Sequence, residues 1–318
     1  FQEETKYWLE DYALFMALKY HFDGHEWLSW DASLRDRNPE ALREYSKILH
    51  NEILFWKFLQ YEFFKQWGDL KQYANNRGVS IIGDLPFYVA LDSMDVWAHR
   101  DLFLLNEDGT PNGVAGVPPD AFTEEGQKWG SPIYDWSRME ADGFDWWKKR
   151  MKENAQLFNI IRLDHFVGIG RYYTIPNDAP TAKSGKWFKG PGKKLTDAME
   201  EVLGDTHVIV EDVGLGTPIP GVKKLMNRMG WPGIKILMFA FDDDTANEHL
   251  PHNYVDNNLV VYAGTHDNET IVGYFHDKTD YELAYLYEYL NIRCKEDIPD
   301  ALIRAAYGSI ADVVIIQM

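Results

Sequence analysis

The sequence predicts a parallel α/β fold, and three observations carry that expectation. Six short β-branched runs, VSIIGD (79–84), FNIIRLD (158–164), HVIVED (207–212), GIKILMF (233–239), LVVYAGTHD (259–267) and ADVVIIQ (311–317), are spread along the chain. They do not alternate polar with apolar residues, which is the pattern of strands buried on both faces. Amphipathic helices fall between them, and repeated strand–helix units build either a doubly wound sheet or a closed (β/α)8 barrel. No Gly-rich phosphate loop follows any strand, which counts against the doubly wound nucleotide-binding class.

Taken in order, the elements begin with the longest helix, expected over roughly 41–75. Leu49, Ile53, Trp56, Gln60, Phe63, Trp67, Leu70 and Ala74 recur in steps of three and four, so one face is expected to be buried. After the first run, two long excursions at about 85–157 and 168–206 interrupt the regular spacing. Both are rich in Gly, Pro and aromatics, as loops that shape a site usually are. Further on, Pro220 is placed to open one helix and Pro299 another, Thr279 with Glu282 has capping-box spacing, and Gly308 would close the segment begun at Pro299. The chain is read as one incomplete barrel over 1–318. It starts at Phe1 and stops at Met318 within an apolar run, as a piece of a longer polypeptide would.

Composition limits the partners. Fifty acidic residues against 32 basic ones give a formal charge of −18. Such a surface repels phosphate, so nucleic acid and anionic membranes are poor partners. The 12 Trp stand out, and packing accounts for roughly two-thirds of them on general grounds. The remainder is available as flat faces for an uncharged ligand. Cys294 stands alone, so no intrachain disulfide can form and a reducing, cytoplasmic location is expected. No run of 18 apolar residues exists to span a membrane, and no signal peptide is visible.

The chemistry is in the acids. In a barrel, polar residues at the C-terminal ends of strands face the active site. Four strands are expected to end in an acid: Asp84, Asp164, Glu211 and Asp267. One such Asp is ordinarily a turn former or a helix cap. Four converging would repel one another unless chemistry or a metal uses them. Glycosyl transfer with retention needs an ionised nucleophile and a protonated acid about 5–5.5 Å apart, and neighbouring strands lie about 4.8 Å apart. Three carboxylates can instead hold a divalent metal, with His165 or His266 as the base such chemistry needs. Arg162 favours the first route, because it lies two residues before Asp164 and so on the same side of the strand. A guanidinium there favours the ionised form that a nucleophile requires. Glu211 follows an apolar strand, whose burial favours the protonated form that an acid requires. His266 and Asp267 can hydrogen-bond the ring hydroxyls of a sugar.

At these residues the sequence resembles glycoside hydrolase family 77, the 4-α-glucanotransferases. The resemblance rests on YWLEDYALFMALK (7–19), GDLPFYVALDSMDVWAH (83–99), GVAGVPPDAFTEEGQKWGSPIYDW (113–136), RLDHF (162–166), VEDVG (210–214) and GTHDN (264–268). It implies a (β/α)8 barrel of the α-amylase clan with helical insertions, lacking here its first strand and its C-terminal end. It also implies transfer of α-1,4-glucan segments between maltooligosaccharides, with no cofactor and no metal. Carried over by motif, Asp164 is the nucleophile, Glu211 the general acid/base and Asp267 the acid that grips the sugar's 2- and 3-hydroxyls. Arg162, His165 and His266 support them, while Asp84, Asp120, Gln127 and Trp129 resemble substrate-contacting residues. One departure is Val167, where the family commonly has an Arg directly after the Phe; the nearest basic residue is Arg171. An α-glucan hydrolase with the same acids, a metal-dependent barrel enzyme acting on a carboxylate substrate and a non-catalytic glucan-binding barrel are the competing readings.

Overall fold

The computed structural model describes residues 1–120, 123–213, 221–242 and 244–318. Among them ten strands form in chain order: β1 (Ile82–Leu85), β2 (Gly113–Val117), β3 (Gln127–Pro132), β4 (Ile160–Leu163), β5 (Arg171–Pro176), β6 (Lys186–Lys189), β7 (His207–Val210), β8 (Gly233–Ile236), β9 (Leu259–Tyr262) and β10 (Val313–Ile315). Each of the six β-branched runs overlaps one of them. The chain divides into two compact units. The first comprises Phe1–Ile161 and Val167–His207, the second Arg162–Phe166 and Val208–Met318.

The first unit opens with helix Gln2–His21. The helix expected over 41–75 is two helices, Pro39–Ile48 and His50–Asn75, parted at the buried Leu49. Pro39 and the Asn38 side chain, which accepts the N–H groups of Glu40 and Ala41, fix the start. Leu49 and Ile53 keep their four-residue step through the break, so periodicity gives no sign of it. Nor is the expected face buried throughout, since Phe63 and Leu70 stay exposed. The core of this unit is aromatic. Trp27, Trp97, Trp147, Phe87 and Tyr134 are fully buried. Three of their polar tips reach main-chain carbonyls: Trp27 Nε1 donates to Leu91, Trp97 Nε1 to Leu34 and the Tyr134 hydroxyl to Phe87, at 2.7, 3.0 and 2.6 Å. Burying such rings without those bonds would forfeit about 1–3 kcal/mol each.

The two excursions hold more regular structure than their Gly- and Pro-rich sequence suggests. β2, β3, β5 and β6 form an antiparallel sheet in the order β3-β2-β5-β6. Gly113 lies opposite Pro176, and Arg171 opposite Lys189. Gly116 is required where β2 passes β3, because a Cβ there would stand 2.0 Å from the Gln127 carbonyl oxygen.

In the second unit β8, β9 and β10 are parallel and adjacent, in the order β10-β9-β8. Helices Ile271–His276, Ala284–Leu290 and Ile298–Tyr307 separate β9 from β10 and bury Phe275, Leu286, Leu302 and Ala306 with Val261. Thr279 and Glu282 form the expected capping box: the Thr279 N–H donates to Glu282 Oε2 at 2.7 Å, and the Glu282 N–H to Thr279 Oγ1 at 3.3 Å. Pro299 lies in the first turn of its helix and Gly308 directly after it, although Gly308 has φ −82° and does not use the left-handed freedom of glycine. The helix expected to open at Pro220 is present as Val222–Met229, while Pro220 itself lies outside the described residues. Among the described residues no helix is long and apolar enough to cross a membrane.

Candidate active site

The site is built where β4 ends. Alternation along the strand puts Arg162 and Asp164 on one side. Arg162 is only 4% exposed, and its Nη1 donates to Asp164 Oδ1 at 3.0 Å. Past Asp164 the chain makes a sharp turn through His165, whose φ of 45° lies in the left-handed region. Phe166 anchors the turn by burying its ring edge-on to Trp231, with centroids 5.9 Å apart.

That turn straps Glu211 in place. The Glu211 N–H donates to the Leu163 carbonyl at 3.0 Å, and the Phe166 N–H donates back to the Glu211 carbonyl at 3.0 Å. The His165 N–H then donates to the side chain itself, at 2.7 Å from Oε2. Arg162 Nη2 stands 3.5 Å from Glu211 Oε1 and 3.6 Å from Asp267 Oδ2. One guanidinium thus faces three acids. Asp164 and Glu211 lie against the same guanidinium, at 3.0 and 3.5 Å. Two acids gathered on one guanidinium suit the near pair of a retaining mechanism, which needs them about 5–5.5 Å apart.

Burial is the first reason that the Glu211 carboxyl is pushed up to about 8; its hydrogen bond to Asp164 and the charge there add to it. Arg162 and the His165 N–H pull the other way without cancelling these effects. Glu211 therefore keeps its proton at neutral pH. Burial likewise pushes His165 down to about 4, so its imidazole is neutral.

Asp267 does not end its strand. β9 stops at Tyr262, and Asp267 sits in the turn beyond. The Thr265 hydroxyl donates to Asn268 Oδ1 at 2.8 Å, the Asp267 N–H donates to Thr265 Oγ1 at 3.3 Å, and the Gln317 amide donates to the Thr265 carbonyl. His266 Nε2 lies 3.4 Å from Asp267 Oδ1, and both side chains are exposed. Asn268 and Gln317 were not among the expected site residues; each ends a quoted run, but neither is a residue type that marks catalysis.

The second unit therefore brings together Arg162, Asp164, His165, Glu211, His266 and Asp267. The other four expected residues belong to the first unit. Asp84 lies within β1, not at its end, and is exposed. Asp120 Oδ1 accepts the Thr123 N–H at 2.9 Å. Gln127 and Trp129 share one side of β3, and Trp129 Nε1 donates to Gln127 Oε1 at 3.0 Å. Of the 12 Trp, Trp129 is the exposed one, at 39%. The share of Trp left for ligands is thus far smaller than the sequence suggested, and it falls on an expected residue. Tyr88, a residue not anticipated, backs Trp129 with ring centroids 6.0 Å apart.

The chain matches the profile of glycoside hydrolase family 77, 4-alpha-glucanotransferase, over residues 1–318. It is 46% identical over 317 residues to the 4-alpha-glucanotransferase of Thermus thermophilus, and 45% over 316 residues to that of Clostridium butyricum. These alignments cover 98% of the chain in both cases, and 63% and 64% of the relatives. Its fold matches that of amylomaltase from Streptococcus agalactiae in complex with acarbose, with a TM-score of 0.93 and 40% identity. That match covers 100% of this chain and 64% of the other. The chain thus spans just under two-thirds of the length of the relatives it matches. With a profile match from end to end and relatives this similar, the chain belongs to glycoside hydrolase family 77.

Proposed function

We propose that this chain carries the catalytic acids of a retaining 4-α-glucanotransferase, which moves α-1,4-glucan segments between maltooligosaccharides. One observation carries the reading: Asp164 and Glu211 meet the same Arg162 guanidinium, with Glu211 also held by the His165 N–H. In the first half-reaction Glu211 gives its proton to the glycosidic oxygen while Asp164 attacks the anomeric carbon on the opposite side. The leaving glucan departs and a glucosyl ester remains on Asp164. Glu211, now ionised, takes the proton from the 4-hydroxyl of an acceptor glucan, whose oxygen displaces Asp164. Asp267 holds the 2- and 3-hydroxyls of the distorted ring, with His266 beside it. Arg162 balances the charge of the acids throughout.

Trp129, Gln127, Asp120 and Asp84 are proposed to contact glucan, Trp129 by offering its exposed face to a glucose ring. The wider fold is proposed to be a (β/α)8 barrel of the α-amylase clan, interrupted by the segments at about 85–157 and 168–206. The parallel β8-β9-β10 sheet and the fold match support that proposal. A cytoplasmic location remains part of the reading.

An α-glucan hydrolase would use the same three acids, and the products separate the two activities. The full-length protein incubated with maltotriose is expected to give a ladder of longer and shorter maltooligosaccharides plus glucose, with few new reducing ends. A steady rise in reducing ends without a ladder would overturn transfer in favour of hydrolysis. The metal-dependent alternative places a cation among the acids, where Arg162 already supplies one. Turnover that survives a chelator, and that Asp164→Asn abolishes while glucan binding persists, separates the glycosyl mechanism from it.

A further inference from the structure

Around Glu211 the sheet changes how it satisfies its backbone. The Val210 N–H still donates to the Pro232 carbonyl, at 2.9 Å. Beyond that point the edge of β8 is met by side chains. Its Ile234 N–H donates to Asp212 Oδ1 at 2.9 Å, and its Ile236 N–H to His249 Nδ1 at 3.1 Å. Both amide groups point to the edge away from β9, because alternate residues of a strand donate to opposite sides. Side chains here do what a neighbouring strand would otherwise do.

The slot for Asp212 is shaped around its carboxylate. A Cβ on Gly233 would lie 2.5 and 2.7 Å from the two Asp212 oxygens and 2.6 Å from Met226 Cε. Burial pushes the carboxyl up, opposed by Lys235 and by the Ile234 N–H, with Glu248 adding to the rise. Lys235 is in turn ion-paired with Glu248. The side chain is therefore held where a backbone bond needs it, in a place costly for an acid.

We propose that Asp212 is a positioning residue for Glu211: by accepting the Ile234 N–H it pins the peptide that follows Glu211. The acid/base carboxyl is then fixed from two directions. The end of β4 and the turn after it hold Glu211 itself through Leu163 and Phe166, and β8 holds the next residue through Asp212. With the second hold gone, Glu211 can rotate off the His165 N–H and Arg162, and water can reach it. The inference rests on the proposed role of Glu211 and names a residue that does not touch the reacting atoms.

The test measures maltotriose disproportionation by the full-length protein, its Asp212→Ala, Asp212→Asn and Gly233→Ala variants, and Glu211→Gln, with thermal unfolding alongside. Asp212→Ala is expected to lower kcat roughly 10²-fold, the usual scale for a misplaced catalytic group, with KM nearly unchanged. The basic limb of its kcat–pH profile is expected to move to lower pH, as Glu211 becomes better hydrated. Asp212→Asn keeps an acceptor for the Ile234 N–H and is expected to recover most of kcat. Gly233→Ala, which crowds the carboxylate without removing it, is expected to repeat the Ala signature and takes over as the deciding variant should Asp212→Ala not fold. An unmoved basic limb in whichever of these two variants folds overturns the inference, as does Asp212→Asn faring no better than Asp212→Ala. If Glu211→Gln turns over like wild type, the acid/base reading falls instead, whatever the Asp212 variants do.

Discussion

The His165 N–H donates to Glu211 Oε2 at 2.7 Å from a residue with φ 45°, so the acid is held by a backbone group whose aim depends on left-handed geometry. Gly and Asn adopt that geometry readily, while a β-branched residue resists it. His165→Val is therefore expected to be less stable than His165→Gly by about 1–3 kcal/mol in denaturant unfolding. Both variants lose the imidazole, so the difference isolates the backbone. Equal stability of the two would show that the turn does not depend on positive φ.

Glu211 sets a pH limit on activity and on stability. As the acid of the first half-reaction it must be protonated, so kcat should fall as pH rises through about 8. Stability should follow the same direction. With the folded-state carboxyl raised from 4.5 to about 8, folding takes up a proton between those values. That contribution is full below about 4.5 and is lost as pH rises through about 8. Glu211→Gln cannot ionise. Relative to wild type its stability should thus improve by up to about 5 kcal/mol between pH 4 and pH 9, while its transferase activity is lost at both. A difference in melting temperature that does not change with pH would contradict this.

Arg162 is the only cation within 4 Å of Asp164, Glu211 or Asp267 among the described ion pairs, His266 aside. Arg162→Met leaves that acid cluster unbalanced and should destabilise the fold by about 2–4 kcal/mol, moderated because Asp164 and Asp267 are partly exposed. Its kcat should drop by roughly 10²–10³-fold. Arg162→Lys restores charge but not the fork that reaches three carboxyls, so stability should recover further than activity. Parallel recovery of both would reduce the residue to a point charge.

Trp129 is exposed, so its loss should cost little stability, within about 0.5 kcal/mol. Removing one ring face from a glucan subsite is worth about 0.5–1.5 kcal/mol, or a rise in KM for maltotriose of roughly 2–10-fold. Trp129→Phe should keep much of the effect. A change in kcat with KM untouched would instead put the ring near the reacting bond.

What could be read in advance follows from how local each signal is. Asp164 and Glu211 directly follow short apolar strands, so their place could be seen in a few residues. Asp267 could not be placed so well, because its turn is made by Thr265, Asn268 and the distant Gln317. The strands β2 and β3 were hidden because GVAGV and QKWGSP lack a β-branched run, and β2 pairs on its other side with β5, far away in sequence. The break at Leu49 leaves the helical period intact. Asp212 looked like the tail of a strand, since nothing in HVIVED distinguishes the acid that faces a sugar from the acid that faces a backbone amide.

The placing of Asp164 and Glu211 on one guanidinium also supplies a clock for the proposed reaction. Two of the three influences that keep Glu211 protonated are the charge and the hydrogen bond of Asp164. Esterification of Asp164 by the sugar neutralises the first and weakens the second. Glu211 is thereby eased into its ionised form for the stage at which it must take a proton from the acceptor, and it reverts when the ester breaks. One carboxyl can serve both half-reactions because its partner changes charge between them.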